Sequence, residues 1–181
     1  MKNNSLIKDA LVLFVITFVL GVLLSVVKTL TDIPIRQGEE KAKRAAYSQV
    51  CPEYDNGEDV TSSIKDMSFQ KTVVNNALIV KNVNGDKVGY IIQVATKGYG
   101  GDIDLIIGFD NDKKVTGIAF PTSLSETPGL GMRVTEEPFK SSFNGKTEQE
   151  LASVDTLSGA TISSSAVKDA IVDASHIVDK L

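Results

Sequence analysis

Cysteine, histidine and tryptophan are almost absent from this sequence. The chain has one cysteine, Cys51, one histidine, His176, and no tryptophan. A single cysteine excludes an internal disulfide, a thiolate-bound zinc site and an iron–sulfur cluster held by this chain alone. We expect Cys51 to be a small, partly buried apolar residue. Acidic and hydroxyl residues surround His176, which indicates a solvated side chain on the polar face of a helix, so we predict no metal site.

A surplus of positive charge is also missing. Residues 31–181 carry 16 Lys and Arg side chains against 22 Asp and Glu side chains, a balance of −6. Proteins that bind nucleic acid through its phosphates need a basic stripe, and none is visible in this sequence. We therefore expect no nucleic-acid partner, and an acidic domain of ordinary size for one hydrophobic core.

One long apolar run lies near the N-terminus. Ala10–Val27 reads ALVLFVITFVLGVLLSVV and contains no charged residue. As a helix this run is about 27 Å long, enough to cross the hydrocarbon core of a bilayer. A cleaved signal peptide is the alternative, but the run is long and no small-x-small cleavage pattern follows it. The sequence favours an uncleaved membrane anchor over residues 10–30.

The charges that flank this run leave its orientation open. Positive residues lie on both sides: Lys2 and Lys8 before it, and Lys28, Arg36, Lys41, Lys43 and Arg44 after it. Counted literally, the positive-inside rule places the following domain in the cytoplasm. The rule weakens when a long domain follows the span, so composition alone does not decide the side.

The hydrophobic period changes from helical to alternating along the chain. Gln37–Val50 is rich in helix-forming residues, and Cys51-Pro52 should end that helix. The predicted strands are Ala77–Val83, Val88–Thr96, Ile103–Phe109 and Val115–Phe120, with a tight turn at Asn84-Gly85. The predicted later helices are Glu136–Ser142, Thr147–Leu151 and Ser163–Lys180.

Hairpins flanked by helices indicate an α+β fold, in which antiparallel strands follow a single transmembrane helix. The predicted organisation is an N-terminal segment 1–9, the anchor 10–30, a stalk or first helix 31–52, and a domain 53–181.

The stretch VDTLSGATISSSAVKDA, residues 154–170, leads into the last predicted helix. Ser163, Ser164 or Ser165 could cap that helix by accepting a backbone N–H bond. Thr161 would then lie just before the helix start, where free N–H groups and the positive dipole end favour a phosphate. Gly159 and Ala160 leave room for a ligand. Ordinary capping chemistry explains the same pattern equally well.

Three segments together resemble one known family. Asp155-Thr156-Leu157-Ser158-Gly159-Ala160-Thr161 resembles a flavinylation motif, in which an Asp precedes Ser/Thr-Gly-Ala-Thr at a fixed interval. GYGGDI, residues 98–103, and ETPGLG, residues 126–131, are similar to two further signatures of that family. The family is the FMN-binding domain of the G component of the Rnf electron-transport complex, related to the C component of the sodium-pumping NADH:quinone reductase. The short length fits the Rnf protein better.

The resemblance implies a covalent FMN, joined by a phosphoester bond to Thr161. It also implies that a separate flavin transferase of the ApbE type makes this bond, with Asp155 helping the transferase to recognise the loop. The implied cofactor contacts are Ser158, Gly159, Ala160, Ser163, Glu126, Thr127, Pro128, Gly129, Leu130, Gly131, Gly100 and Gly101. The Pro128-Gly129 pair fits a type II turn, and Leu130 could pack on the isoalloxazine ring. Without the resemblance, Glu126 would be interpreted as a solvated side chain on an exposed turn.

The function that the resemblance implies is electron transfer within an Rnf complex, which couples ferredoxin:NAD⁺ electron transfer to the export of Na⁺ or H⁺. Other Rnf subunits would be its partners, and no independent catalysis is expected. The implied location is the cytoplasmic membrane, with the domain on the extracytoplasmic side, against the literal charge count. Two alternatives stay open: an FMN-bearing subunit of another membrane reductase, and a non-flavinylated assembly or binding module of the same fold.

Overall fold

The computed structural model describes residues 3–64, 67 and 69–181, without the side chains of residues 3–6, 29–37 and 39. Lys2 and the side chain of Arg36, both counted above for orientation, lie outside that description. The chain divides into two compact units, Met1–Lys41 and Ala42–Leu181.

The first helix, α1, runs from Asn3 to Val50. Its segment Ile7–Lys28 has a mean hydropathy of 3.0, and none of that segment is buried against protein. Twenty-two residues of helix span about 33 Å, so the segment is long and apolar enough to cross a membrane. The predicted apolar N-terminal helix is confirmed. The helix ends at Val50, before Pro52, as the sequence predicts.

Five antiparallel strands form one sheet in the order β1-β2-β3-β4-β5. Their bounds are β1 Asn56–Asp59, β2 Thr72–Lys81, β3 Lys87–Lys97, β4 Asp102–Asp110 and β5 Val115–Ala119. The sequence predicts the four strands from β2 to β5 and misses β1. Its first predicted strand, Ala77–Val83, begins five residues after the observed start of β2 at Thr72 and ends two residues after its observed end at Lys81. Asn82 Oδ1 accepts the backbone N–H groups of Asn84 and Asp86, which starts the turn at Asn82.

Both faces of the sheet are covered. Alternate side chains of its central strands point to opposite faces, and each face packs in its own hydrophobic cluster. On one face Tyr90, Ile92 and Val94 of β3 join the core that the last helix completes. On the other face Ile91 of β3 packs in a smaller cluster with the end of α1. Gly108 permits this approach: a Cβ built there would lie 2.6 Å from the carbonyl oxygen of Val50. The fold is α+β, as predicted.

A 3-10 helix, Thr61–Ile64, lies between β1 and β2, and the remaining described α-helices follow β5. They are α2 Glu137–Lys140, α3 Glu148–Leu151 and α4 Thr161–Lys180, with 3-10 turns at Gly131–Thr135 and Ser141–Phe143. Helix α4 buries a stripe of apolar side chains at helical spacing, including Val167, Ala170, Ile171, Ala174 and Val178. This stripe packs on β3 and β4, and the glycine-rich segment that follows β3 lies near the N-terminal end of α4.

Candidate functional site

A cavity of about 550 Å³ opens beside the N-terminal end of α4. It lies where the glycine-rich segment after β3, the loop that leads to the 3-10 turn Gly131–Thr135, and the start of α4 meet. Ten residues line it: Tyr99, Glu126, Thr127, Leu130, Gly131, Gly159, Ala160, Thr161, Ile162 and Ser163. All three motifs singled out in the sequence contribute to this one cavity, although they are far apart along the chain.

Thr161 is the first residue of α4 and is exposed in the cavity wall. Ala160 occupies the N-cap position, with φ −132° and ψ 33°, and no side chain caps the helix. The prediction that Ser163, Ser164 or Ser165 caps this helix is therefore wrong. All three lie inside the first turns of α4. The first N–H groups of a helix lack intrahelical partners, so Thr161 stands beside free donors.

Ser164 holds the loop that carries Thr161. Its side chain is fully buried, its Oγ accepts the Leu157 N–H at 3.0 Å, and it donates to the Ala160 carbonyl at 2.8 Å. Ala160 N–H in turn donates to Leu157 O at 3.0 Å, across a turn in which Gly159 has a φ of +80°. A positive φ favours glycine. The buried serine therefore fixes the loop before α4, although it does not cap the free N–H groups of the helix.

Glu126 joins the three motifs at one point. Only 5% of this residue is exposed. Its Oε2 accepts a hydrogen bond from Ser163 Oγ at 2.6 Å, and its Oε1 accepts the Gly100 N–H at 3.1 Å. The interpretation of Glu126 as a solvated side chain on an exposed turn is therefore wrong. The carboxylate connects the glycine-rich segment to the first turn of α4.

The glycines near the cavity make room for Glu126 and its neighbour Ser125. A Cβ at Gly98 would overlap Glu126 Oε1, and a Cβ at Gly131 would overlap Glu126 Oε2 and lie 2.9 Å from Ser163 Oγ. A Cβ at Gly100 would overlap the Ser125 carbonyl oxygen.

Gly100 and Gly101 do not line the cavity. Their predicted contact with a cofactor stays a prediction. What the structure shows for Gly100 is close packing of two backbone segments against each other.

The loop after Glu126 contains the predicted type II turn. The Leu130 N–H donates to Thr127 O at 3.1 Å, and Gly129 has a φ of +74°, as the third position of such a turn requires. Thr127 and Leu130 line the cavity, whereas Pro128 and Gly129 at the tip of the turn do not. The turn thus points Leu130, which is 45% exposed, toward the space beside Thr161.

Sequence reasoning missed two residues of the cavity wall, Tyr99 and Ile162. Both are large and apolar, yet they are 70% and 58% exposed. The available signals were an aromatic residue between glycines and an isoleucine outside the apolar stripe of α4. With Leu130 they form an exposed apolar rim around Thr161, and an apolar lining with few polar groups is typical of small-molecule sites.

The charge of the cavity is unusual for a site that would hold a phosphate. Among its ten described lining residues, Glu126 is the single charged side chain, and neither Lys nor Arg takes part. A site that holds phosphate by ion pairing uses cationic side chains. This cavity could offer a phosphate the N–H groups of α4 and the Thr161 hydroxyl.

Asp155 and Ser158 lie outside the cavity lining. Asp155 lines a separate groove of about 420 Å³, formed with Pro138, Phe139, Ser142, Lys146, Val154, Thr156 and Leu157. Ser158 belongs to the turn between the two. The flavinylation-like motif therefore has its hydroxyl end in one depression and its carboxylate end in another.

The lone histidine and cysteine take no part in either depression. His176 Nδ1 lies 3.2 Å from Glu148 Oε1. Cys51 is buried, and burial raises the pKa of its thiol. Within the described residues, no group of three or more His, Cys, Asp and Glu side chains could hold a metal ion.

Comparison with known proteins places these features in a family. A family model described as an FMN-binding domain matches residues 98–176. The G component of an ion-translocating oxidoreductase complex from Methanosarcina acetivorans is 30% identical over 178 residues, covering 93% of this chain and 92% of that protein. The G component of the Na⁺-translocating ferredoxin:NAD⁺ oxidoreductase complex from Acetobacterium woodii is 27% identical, covering 91% and 87%.

A solved structure shares the fold. The C component of the Na⁺-translocating NADH-quinone reductase from Parabacteroides distasonis aligns with a TM-score of 0.52 at 18% identity, covering 79% of this chain and 94% of that one. The matched FMN-binding segment begins at Gly98 and contains all ten residues that line the cavity.

Proposed function

Because the chain belongs to the family of G components of ion-translocating oxidoreductase complexes, we propose that it is a membrane-anchored electron carrier within an Rnf complex. Its relatives are named for ferredoxin:NAD⁺ oxidoreductase complexes that translocate Na⁺ or protons. In this function the chain binds and orients FMN, whose isoalloxazine accepts and releases electrons, and other subunits of the complex are its partners.

The attachment point in this proposal is Thr161 Oγ. The observation that carries it is the exposed hydroxyl of Thr161, at the first position of α4, in the wall of a cavity of about 550 Å³. That volume lies within the ordinary range for a cofactor pocket. The first-turn N–H groups of α4 could donate to the phosphate oxygens. Because none of the described residues that line the cavity is cationic, a covalent bond would supply the attachment that ion pairs would otherwise give.

A separate ApbE-type flavin transferase would make this bond. The O–P bond forms at Thr161 Oγ while the pyrophosphate P–O bond of FAD breaks, AMP leaves, and the hydroxyl proton is lost. A threonine hydroxyl needs an activating base or metal for such a step. Glu126, the one carboxylate among the described residues that line the cavity, already accepts hydrogen bonds from the Gly100 N–H and the Ser163 hydroxyl. We propose that the transferase supplies the base and contacts Asp155 in the neighbouring groove.

The apolar rim would hold the isoalloxazine ring. Tyr99, Leu130 and Ile162 are exposed around Thr161, and contact with a flat aromatic ring would remove their side chains from water. Thr127 and Gly131 add backbone groups to the same wall. Gly159 and Ala160 would leave the approach to Thr161 clear. Pro128 and Gly129 would shape the turn that presents Leu130. Ser158, Gly100 and Gly101 do not line the cavity and would support the residues that do.

We also propose the organisation that the sequence indicates and the sidedness that the family resemblance implies, with residues 10–30 as anchor, 31–52 as stalk or first helix, and 53–181 as the flavin domain outside the cytoplasm. A covalent tether keeps the flavin at high effective concentration whatever the free pool, which is an advantage outside the cytoplasm, where free flavin is scarce. The positive residues after the span count against this side, since the positive-inside rule favours them in the cytoplasm. A cysteine-accessibility assay on intact cells, with a reporter cysteine at exposed Val83, would determine the side.

Co-expression with an ApbE-type transferase tests the attachment. The wild-type band should fluoresce under ultraviolet light on a denaturing gel and gain the mass of FMN less one water. Thr161→Ala should do neither, whereas Ser165→Ala, which changes a nearby hydroxyl outside both the cavity and the neighbouring groove, should label like the wild type. A dark wild-type band beside an active transferase would refute the proposal.

A further inference from the structure

Glu126 occupies a place in the cavity that opposes the cofactor's charge. Its carboxylate lies beside the N-terminal end of α4, with Oε2 2.6 Å from Ser163 Oγ, two residues after Thr161. It is 5% exposed and is the one charged side chain among the described residues that line the cavity. A buried charge is screened less by salt than a surface charge.

The Glu126 carboxylate occupies a hydrogen-bond donor that a phosphate could otherwise bind, the Ser163 hydroxyl. The N-terminus of a helix ordinarily attracts an anion through its free N–H groups and its positive dipole end. Here the Glu126 carboxylate lies beside that positive end and already accepts a hydrogen bond from the Ser163 hydroxyl. A phosphate that enters the cavity therefore meets a fixed negative charge, and Ser163 would have to leave Glu126 in order to bind it.

The two forms of the cofactor differ in charge. A phosphate monoester such as free FMN carries about −1.5 to −2 at pH 7, because its second pKa is near 6. The diester formed with Thr161 has lost one ionisable oxygen and carries a single negative charge. Repulsion from Glu126 therefore acts more strongly on free FMN than on the attached cofactor.

We propose that Glu126 is a specificity-determining residue that rejects free, phosphate-bearing flavin and makes the site depend on the covalent bond. This inference rests on the proposed flavin function of the cavity. It assigns the carboxylate a role in selecting between the free and attached forms of one cofactor, separate from its role in joining the loops.

Glu126→Gln tests this role with little structural change. The glutamine Oε1 can still accept the Gly100 N–H, and its amide can donate to Ser163 Oγ, so both hydrogen bonds are kept while the charge is lost. Glu136→Gln is the matched control: it removes the same charge from an exposed N-cap residue of α2 whose side chain makes no capping hydrogen bond and does not line the cavity.

The experiment uses the full chain in detergent, produced without a transferase so that Thr161 is free. FMN and riboflavin, which lacks the phosphate, are titrated separately and followed by flavin fluorescence. In Glu126→Gln the affinity for FMN should rise roughly tenfold or more, as expected when one like charge is removed at low dielectric. The affinity for riboflavin should change little, and Glu136→Gln should match the wild type for both ligands.

The wild type gives a second measurement that needs no variant: it should bind riboflavin more tightly than FMN. The proposal is overturned if the wild type prefers FMN, or if Glu126→Gln shows no gain in FMN affinity, including the case in which neither protein binds it. Failure of the proposed function would look different, because the wild type would then acquire no flavin mass from an active transferase.

Discussion

Replacing Gly100 with alanine should destabilise the domain strongly, because it forces apart two backbone segments. The new Cβ would overlap the carbonyl oxygen of Ser125 and lie 3.0 Å from its carbonyl carbon. Rotation of a side chain cannot relieve a clash with backbone. The glycine-rich segment must therefore move away from the following loop, which weakens the Gly100 N–H bond to Glu126.

The expected magnitude follows from these two effects. Overpacking of this kind costs about 1 to 3 kcal/mol, and a hydrogen bond to a charged group contributes about 1.5 to 3 kcal/mol. We expect Gly100→Ala to lower the free energy of unfolding by about 3 to 5 kcal/mol, a large share of the 5 to 15 kcal/mol typical of a domain. At about 2 to 4 °C per kcal/mol, the melting temperature should fall by roughly 10 °C.

Tyrosine fluorescence makes a domain-specific assay in the full chain. All four tyrosines, Tyr47, Tyr54, Tyr90 and Tyr99, lie outside the apolar segment of α1, and tryptophan is absent. Thermal and urea unfolding in detergent, followed by this signal, therefore report on the domain and not on the anchor.

Gly101→Ala is the matched control for that assay. Its Cβ would lie 3.2 Å from Ser125 Cβ, a contact that a small displacement relieves, so the loss should be about 1 kcal/mol or less. Equal stabilities for the two variants, or a Gly100→Ala protein within about 0.5 kcal/mol of wild type, would refute the reasoning about backbone contact.

Two further predictions concern the ends of helices. Ser164→Ala should lower the free energy of unfolding by about 1 to 3 kcal/mol, because it leaves the Leu157 N–H without its acceptor. It should also reduce flavin loading by a transferase, measured by intact mass. Ser165→Ala, the control, should be close to neutral in both stability and loading. The pKa of Glu150 lies below its ordinary value, because the backbone N–H and the hydroxyl of Thr147 donate to the carboxylate in a capping box. Because its pKa is lowered in the folded state, the ionised Glu150 carboxylate stabilises the protein at pH values above the unfolded-state pKa of about 4.3. This stabilisation is lost as the pH falls through the folded-state pKa. Thr147→Ala should therefore raise the Glu150 pKa in an NMR titration, and an unchanged pKa would contradict the capping box.

The sequence predicts the parts of the fold that depend on local periodicity. Strands β3 and β4 alternate or are continuously apolar, and α4 carries a stripe at helical spacing, so their residues indicate their structure directly. Strand β1, NGED, has no apolar residue, and it forms because β2 offers an open edge. A pattern method has no signal for a strand that exists through pairing alone.

The candidate site was predictable as three motifs but not as one geometry. The burial of Glu126 depends on partners 26 and 37 residues away, Gly100 and Ser163, and no local pattern reports such contacts. The start of α4 was misjudged for a similar reason. Serines near a helix start usually cap it, whereas here Ser164 fixes the loop from a buried position one turn inside the helix.

Tandem mass spectrometry of one peptide tests the central claim most directly. Trypsin cleavage after Lys146 and Lys168 releases residues 147–168, which contain Thr161 together with Thr156 and Ser163 to Ser165. After co-expression with an active transferase, the account predicts that this peptide carries the mass of FMN less one water, with the fragment ions placing it on Thr161. An unmodified peptide, or the same mass on Thr156 or on one of the serines, would contradict the account.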